Sequence, residues 1–494
     1  GHTRSIIDPM YDAGIRLLHV GINSACPLPS VPTFCRWRSP SGNDLLLVYQ
    51  KDYGEDEVLP DGKTVVSINF TGDNHGPHSY ERVKKIYADL RKRYPQAQLV
   101  GASFNDVARE LLLIKKDLPV VTSEIGDTWI FGYGGAPIRM AKFRAVSRLY
   151  SQWLNEGKIK KDSDVALDFA AELGLIAEHT QGVDVKTHLR QWDKYDMDKF
   201  LKGRSEGVFS MAGASWKEID NYIDSAIAFL PASLQKEARE VVAEVDKVKL
   251  EDNSKMKPMA RKRWEQPIAG GMTLAGLSYQ MFDGDDYDDF QNRYLRARYE
   301  WALDDLGKRG LKESHAVSVT LYAQTMAQSV RKEKKGTRII TELRFPENEK
   351  VDKRVYPERI QVNCFTTKNG KRSEVALTIY GKPAVRLPES YWLSFTVPGI
   401  ELVIAEKMGE RVNLMDVVEK GNRQMHGIDR YVDLITSGET IRISSKEAFL
   451  LNVGEAQGLN YSTNYPDKRK GVHFNLNNNL WGTNFSMWNE GSLT

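Results

Sequence analysis

The chain has 494 residues, too many for one ordinary domain, so two or three are expected. Hydrophobic residues at 41% and charged residues at 27% exclude a disordered or membranous composition, and a net charge of +3 implies no nucleic-acid and no membrane partner. Three cysteines, Cys26, Cys35 and Cys364, exclude a disulfide framework and a cysteine zinc knuckle.

Residues 1–135 alternate helix and strand patterns. "SIIDPMYDAG" (5–14) reads as a helix ending in Gly, and "IRLLHVGIN" (15–23), "NDLLLVYQ" (43–50) and "KTVVSINF" (63–70) read as strands. "SYERVKKIYADLRKRYP" (79–95) has apolar residues at helical spacing and stops at Pro95. A strand "AQLVGAS" (97–103), a helix "FNDVARELLLIKK" (104–116) and an extended "LPVVTSEIG" (118–126) complete the series. Such alternation predicts parallel strands in an α/β layered or barrel domain, with chemistry at the strands' carboxyl ends.

From 136 to 330 the pattern turns helical, with "APIRMAKFRAVSRLYSQWLNEG", "SDVALDFAAELGLIAEH", "SWKEIDNYIDSAIAFL" and "ASLQKEAREVVAEVDKVK" as its amphipathic runs. Over 331–494 strands dominate, and Lys368-Asn369-Gly370 between alternating runs signals a hairpin. This last third reads as an antiparallel β-sandwich. The fold class expected is therefore α/β, then a helical bundle, then β. No signal peptide or apolar run of membrane-spanning length is visible, and the opening "GHTRSIIDPMYDAG" predicts a fragment or processed chain.

Three stretches could carry chemistry. In "NFTGDNHGPHSYE" (69–81), Asp73 and His75 stand at a strand's end; they fit an active-site rim, or an ordinary loop in which Asp73 caps a turn and Ser79 the next helix. In "SEIGDTWIFGYGGAPIRMAKFR" (123–144), Glu124 and Asp127 are two carboxylates beside Trp129 and Phe131. Paired acids can work as general acid and base on a glycoside while Trp129 packs a sugar face, or the run is a glycine-rich linker with solvated acids. In "EHTQGVDVKTHL" (178–189), His179, Asp184 and His188 are compatible with Zn²⁺, or with solvated histidines in a helix–helix turn.

The order of these motifs resembles glycoside hydrolase family 38, the retaining α-mannosidases, through "GHTRSIIDPMYDAG" (1–14), "TFCRWRSPSG" (33–42), "IGDTWIFGYGGAPIRMAKFR" (125–144) and "EHTQGVDVKTHL" (178–189). Within that relationship the chain looks closest to an uncharacterised bacterial branch, a domain-of-unknown-function group. The resemblance implies the C-terminal part of a (β/α)7-like barrel over 1–135, a helical domain over 136–330 and a β-sandwich over 331–494. It implies Asp127 as the general acid and His179 as a Zn²⁺ ligand. Asp73, His75, Trp129 and Asp184 would face an oligo- or polysaccharide, Asp184 in place of a substrate-gripping Asp. The nucleophile and the other zinc ligands would fall upstream of Gly1, so the chain alone would be inactive, in a protein of periplasmic or secreted location. Thr180 and Gln181 depart from the family's His and Asp. They point to a rival reading, a non-catalytic carbohydrate-binding relative, beside a polysaccharide lyase-like enzyme.

Overall fold

The structure, a computed structural model, describes every residue except 1, 73–74, 127–128, 190, 260–263 and 483. Its chain forms two compact units. The first gathers Gly1–Asp127, Tyr294–Arg298 and Lys407–Asn422; the second holds Thr128–Arg293, Tyr299–Glu406 and Arg423–Thr494.

The first unit is organised by the apolar run within Asp44–Gln50. Alternate side chains of a strand point to opposite faces, so an unbroken apolar run needs cover on both. Leu46 and Val48 pack with Phe34, Ala108 and Leu111, the last two from the helix Phe104–Leu113. Leu45, Leu47 and Tyr49 pack with Ile7, Trp37 and Ile125. The four-stranded sheet runs Leu17–Gly21, Asp44–Gln50, Phe34–Arg38, Val120–Val121. Its outer pairings are parallel and its central one antiparallel.

Two expected strands differ. Residues 97–103 form no strand, and of 63–70 only Val65–Ser67 is extended, paired antiparallel with Asp56–Val58. Both stretches are short of apolar partners: Val100 is 71% and Phe70 52% exposed. The sheet is thus mixed, and the described residues form no closed barrel.

In the second unit the helices Pro137–Asn155, Asp164–Gly174, Ser210–Ala228 and Ala232–Val245 bury Trp153, Phe169, Ile223 and Ile227 in one cluster. Pro137 stands in the first turn, where its missing N–H is harmless, and the Ser163 hydroxyl accepts from Ala166 N. Buried Arg144 ties the first of these helices to the carbonyls of Ile428, Asp429, Ser445 and Lys446.

The sequence predicts helix throughout 136–330, whereas Thr273–Met281 is a central strand. It lies between Val319–Tyr322 and Glu389–Thr396 in a seven-stranded sheet that continues through Val472–Asn478, Leu450–Val453 and Met425–Gly427. Covered on both faces from Leu277 to Met281, it lacks the alternation that announces a half-exposed strand. A second antiparallel sheet orders Gly491–Leu493, Ser373–Lys382, Arg359–Thr367, Gly336–Arg344, Gln324–Glu333 and Lys257–Pro258. Its Asn369-Gly370 turn has Gly370 at φ +67°, as the hairpin signal requires.

Polar groups fix this β-rich part. Asn479 Nδ2 faces the carbonyls of Val385, Leu387 and Met487 at 3.0 Å each, while its Oδ1 accepts from Glu389 N at 2.7 Å. Buried Glu389 pairs with Lys382 at 2.5 Å and accepts from the Tyr279 hydroxyl at 2.8 Å. Buried His473 meets Ser394 Oγ through Nδ1 at 2.8 Å.

Candidate functional site

Trp129 opens a 3-10 segment, Trp129–Gly135, whose glycines are forced by close approach. A Cβ on Gly132 would lie 2.3 Å from the Phe485 ring, and one on Gly134 2.3 Å from Asn478 Nδ2. The run is therefore a packed seam and not a free linker. Along it Trp129 is half-buried, stacked on Trp481 with ring centroids 5.7 Å apart and beside Phe485 at 6.3 Å. The imidazole of His179 meets the same indole edge-on at 6.5 Å. Two of the residues singled out in the sequence, 50 positions apart, thus share one corner.

The turn carrying His179 is held by the residues that depart from the family pattern. Gln181 is 3% exposed; its Nε2 donates to the carbonyls of Ile176 at 2.8 Å and Glu178 at 3.0 Å. Its Oε1 accepts from Arg139, which also pairs with Asp220 at 2.5 Å. Thr180 donates to the Gly182 carbonyl at 2.7 Å. Gln181 is thereby committed to shaping the turn, which leaves His179 exposed on its outside.

Asp184 caps the short helix Val185–His188, accepting from Lys186 N at 3.2 Å and from the Thr187 hydroxyl at 2.6 Å. Its carboxylate also lies 4.0 Å from Lys186 Nζ, which pairs with Asp305. His188 is exposed at that helix's end.

In the first unit His75 is exposed, with its ring 3.1 Å from where a Cβ on Gly72 would sit. Asp73 and Asp127 lie outside the described residues. Glu124 is described and is 4% exposed. Its Oε1 accepts from Arg4 N at 2.7 Å and Thr3 Oγ1 at 3.1 Å, and its Oε2 holds Lys407 at 2.8 Å. This acid is fully engaged in packing.

Among the described residues no group of three or more His, Cys, Asp or Glu side chains is placed to hold a metal ion. His179 by itself does not make a zinc centre.

Sequence reasoning missed a small cavity, open to solvent, in the second unit. Lys186, Trp192, Tyr195, Lys308, Arg386 and Met487 line it. Lys308 Nζ donates to the Trp481 carbonyl at 3.2 Å, which joins this cavity to the residue that stacks on Trp129. One wall is set by Gly482, where a Cβ would meet the carbonyls of Gly307, Asp305 and Asp304 at 2.7, 2.8 and 3.0 Å. Burial, then the Arg386 guanidinium nearby, brings the Lys308 ammonium down to about 7. Lys186, Lys308 and Arg386 are too far apart in sequence for any spacing rule to have joined them.

A family model described as a domain of unknown function, DUF5054, matches residues 134–266. That span holds the four long helices with His179 and Asp184, and it leaves out Trp129, Lys308 and Arg386. No curated protein matches the chain.

Proposed function

We propose that this is a carbohydrate-active protein, a metal-dependent retaining glycoside hydrolase similar to the α-mannosidases, acting on an oligo- or polysaccharide. The observation that carries the reading is the meeting of Trp129 and His179 at one partly open aromatic corner. A half-exposed indole with a neighbouring imidazole offers an apolar surface for a sugar's C–H face and a polar group for its hydroxyls. In this reading Asp127, two residues before Trp129, protonates the leaving oxygen while a second carboxylate attacks the anomeric carbon. Asp73, His75 and Asp184 belong to it as sugar-facing residues, although Asp184 must serve while capping a helix. For Zn²⁺ the described residues offer His179 alone, which does not make a centre by itself, so no step is drawn through the metal. The first unit's two parallel pairings support the expected barrel portion. The ring of Tyr279 in the first large sheet meets that of Phe345, the residue after strand Gly336–Arg344 of the second, which supports the β-sandwich.

The non-catalytic carbohydrate-binding reading has its own support in Gln181, whose buried amide does a structural job where the family has an acidic residue. Titration of the full chain with an α-mannosyl oligosaccharide tests both, alongside anomer-resolved NMR of any product with and without added zinc. Zinc-dependent release of the retained anomer supports the hydrolase. Saturable binding without turnover supports the binder. Binding that survives Trp129→Ala undiminished removes the aromatic corner from either.

A further inference from the structure

We propose that the cavity lined by Lys308 and Arg386 is an oxoanion site, which takes a carboxylate or phosphate group borne by a small ligand. The inference rests on charge that the fold leaves uncompensated. Arg386 is 3% exposed, and its guanidinium lies 4.1 Å over the Tyr195 ring and 5.2 Å from that of Phe209. Among the described residues its one hydrogen bond is to the Trp192 carbonyl, at 3.4 Å, and that of Lys308 is to the Trp481 carbonyl. Among the described residues neither cation forms an ion pair; Tyr195, and after it Asp193, bear on Arg386 electrostatically without pairing.

The other charges at the cavity are matched. Lys186 pairs with Asp305, and Arg309 pairs with Asp304 at 3.5 Å while its guanidinium covers Trp192 at 5.2 Å. Rim charges are thus neutralised in pairs, while Lys308 and Arg386, which share the lining and bear on one another electrostatically, are not. Like charges in a partly desolvated pocket repel, and burial of an unpaired cation is unfavourable. One anion between them relieves both terms. Burial first, and the Arg386 charge second, hold the Lys308 ammonium below its ordinary value.

Chemistry and size limit the occupant. A guanidinium fork matches the paired oxygens of a carboxylate or phosphate, and Lys adds a point charge. Most of the space beside the lining residues is open to solvent, so only the charged end of a ligand is seated among them. The aromatic faces of Trp192 and Tyr195 are already covered by Arg309 and Arg386, so recognition there is electrostatic. The site does not depend on the glycan reading at Trp129.

The test is isothermal titration of the full chain with inorganic phosphate and with glucuronate, and with glucose as the neutral control. Saturable binding of at least one anion and none of glucose is expected. Lys308→Met and Arg386→Lys should each weaken it about tenfold or more, the second because charge is kept while the fork is lost. Tighter phosphate binding identifies a phosphate ester as the source, and tighter glucuronate binding identifies an acidic sugar. Absence of saturable binding for both anions overturns the proposal, as does binding that neither substitution changes. Should Arg386→Lys fail to fold, Lys308→Met alone decides, since Lys308 is only half-buried.

Discussion

Replacing Glu124 by Gln separates a structural acid from a catalytic one. In the first unit its Oε1 receives two hydrogen bonds and its Oε2 holds Lys407, whose side chain is 13% exposed. Gln keeps one oxygen, which can still serve Arg4 N and Thr3, but turns an NH₂ donor toward the ammonium. The loss is one charge-assisted hydrogen bond, about 1.5–3 kcal/mol, together with a mostly buried cation left unpaired. Breaking a buried pair in this way costs about 3–5 kcal/mol, and the residual solvent contact of Lys407 places the expectation at the low end, about 3 kcal/mol.

A local reporter suits a chain of two units. Cys35 is 1% exposed in the same unit, with its thiol pushed up to about 12 by burial, so it reacts only when that unit opens. Its labelling under native conditions, read by peptide mass spectrometry, should accelerate about a hundredfold in Glu124→Gln, at about 1.4 kcal/mol per tenfold. Cys364, buried in the second unit, should label at an unchanged rate. Joint replacement Glu124→Met with Lys407→Met should recover much of the loss. A Cys35 rate within about threefold of the wild type would refute the ion pair as a support of this unit.

Three further outcomes concern the second unit. His473, held neutral by burial and lowered to about 4, should destabilise the fold as pH falls from about 6.5 toward 4. The unfolded chain then binds a proton that the folded one refuses, up to about 3 kcal/mol in all. Urea midpoints at pH 7 and pH 4.5 should therefore diverge less in His473→Gln, and equal divergence rejects the assignment. Asn479→Ala strips the partner from Glu389 N and from three carbonyls; a loss of about 3 kcal/mol in urea unfolding is expected, against under 1 if solvent replaces them. Gly482→Ala drives a methyl against three backbone carbonyls that cannot yield, so about 1–3 kcal/mol should be lost in the same assay.

What was legible in the residues follows the range of the interaction involved. The helices Pro137–Asn155 and Ala232–Val245 are written in local periodicity and caps, and the Asn369-Gly370 hairpin in turn chemistry. Thr273–Met281 was hidden because its neighbours in the sheet come from residues 319–322 and 389–396, and burial by distant strands removes alternation. The stretch 97–103 fails as a strand for the opposite reason: it has the apolar residues Leu99 and Val100 but no strand beside it. At the candidate site, Trp129 and His179 were readable as residue types, while their meeting depends on Gln181 and Arg139 bending the turn. Lys308 and Arg386 gave no local signal, since whether a charge finds a partner is a property of packing alone.

The first unit is completed by Lys407–Asn422, with Tyr294–Arg298 joining on the way. During synthesis its opening segment therefore emerges about 300 residues before the ammonium that neutralises Glu124. At ~5–20 residues per second this is a wait of about 15–60 s. For that time the bridge between Glu124 and Val417 has no second side, and the ends of a mixed sheet stand open to other chains. Any shortened version that stops before residue 407 makes the wait permanent, so its yield will be governed by chaperone supply and not by the quality of its own core.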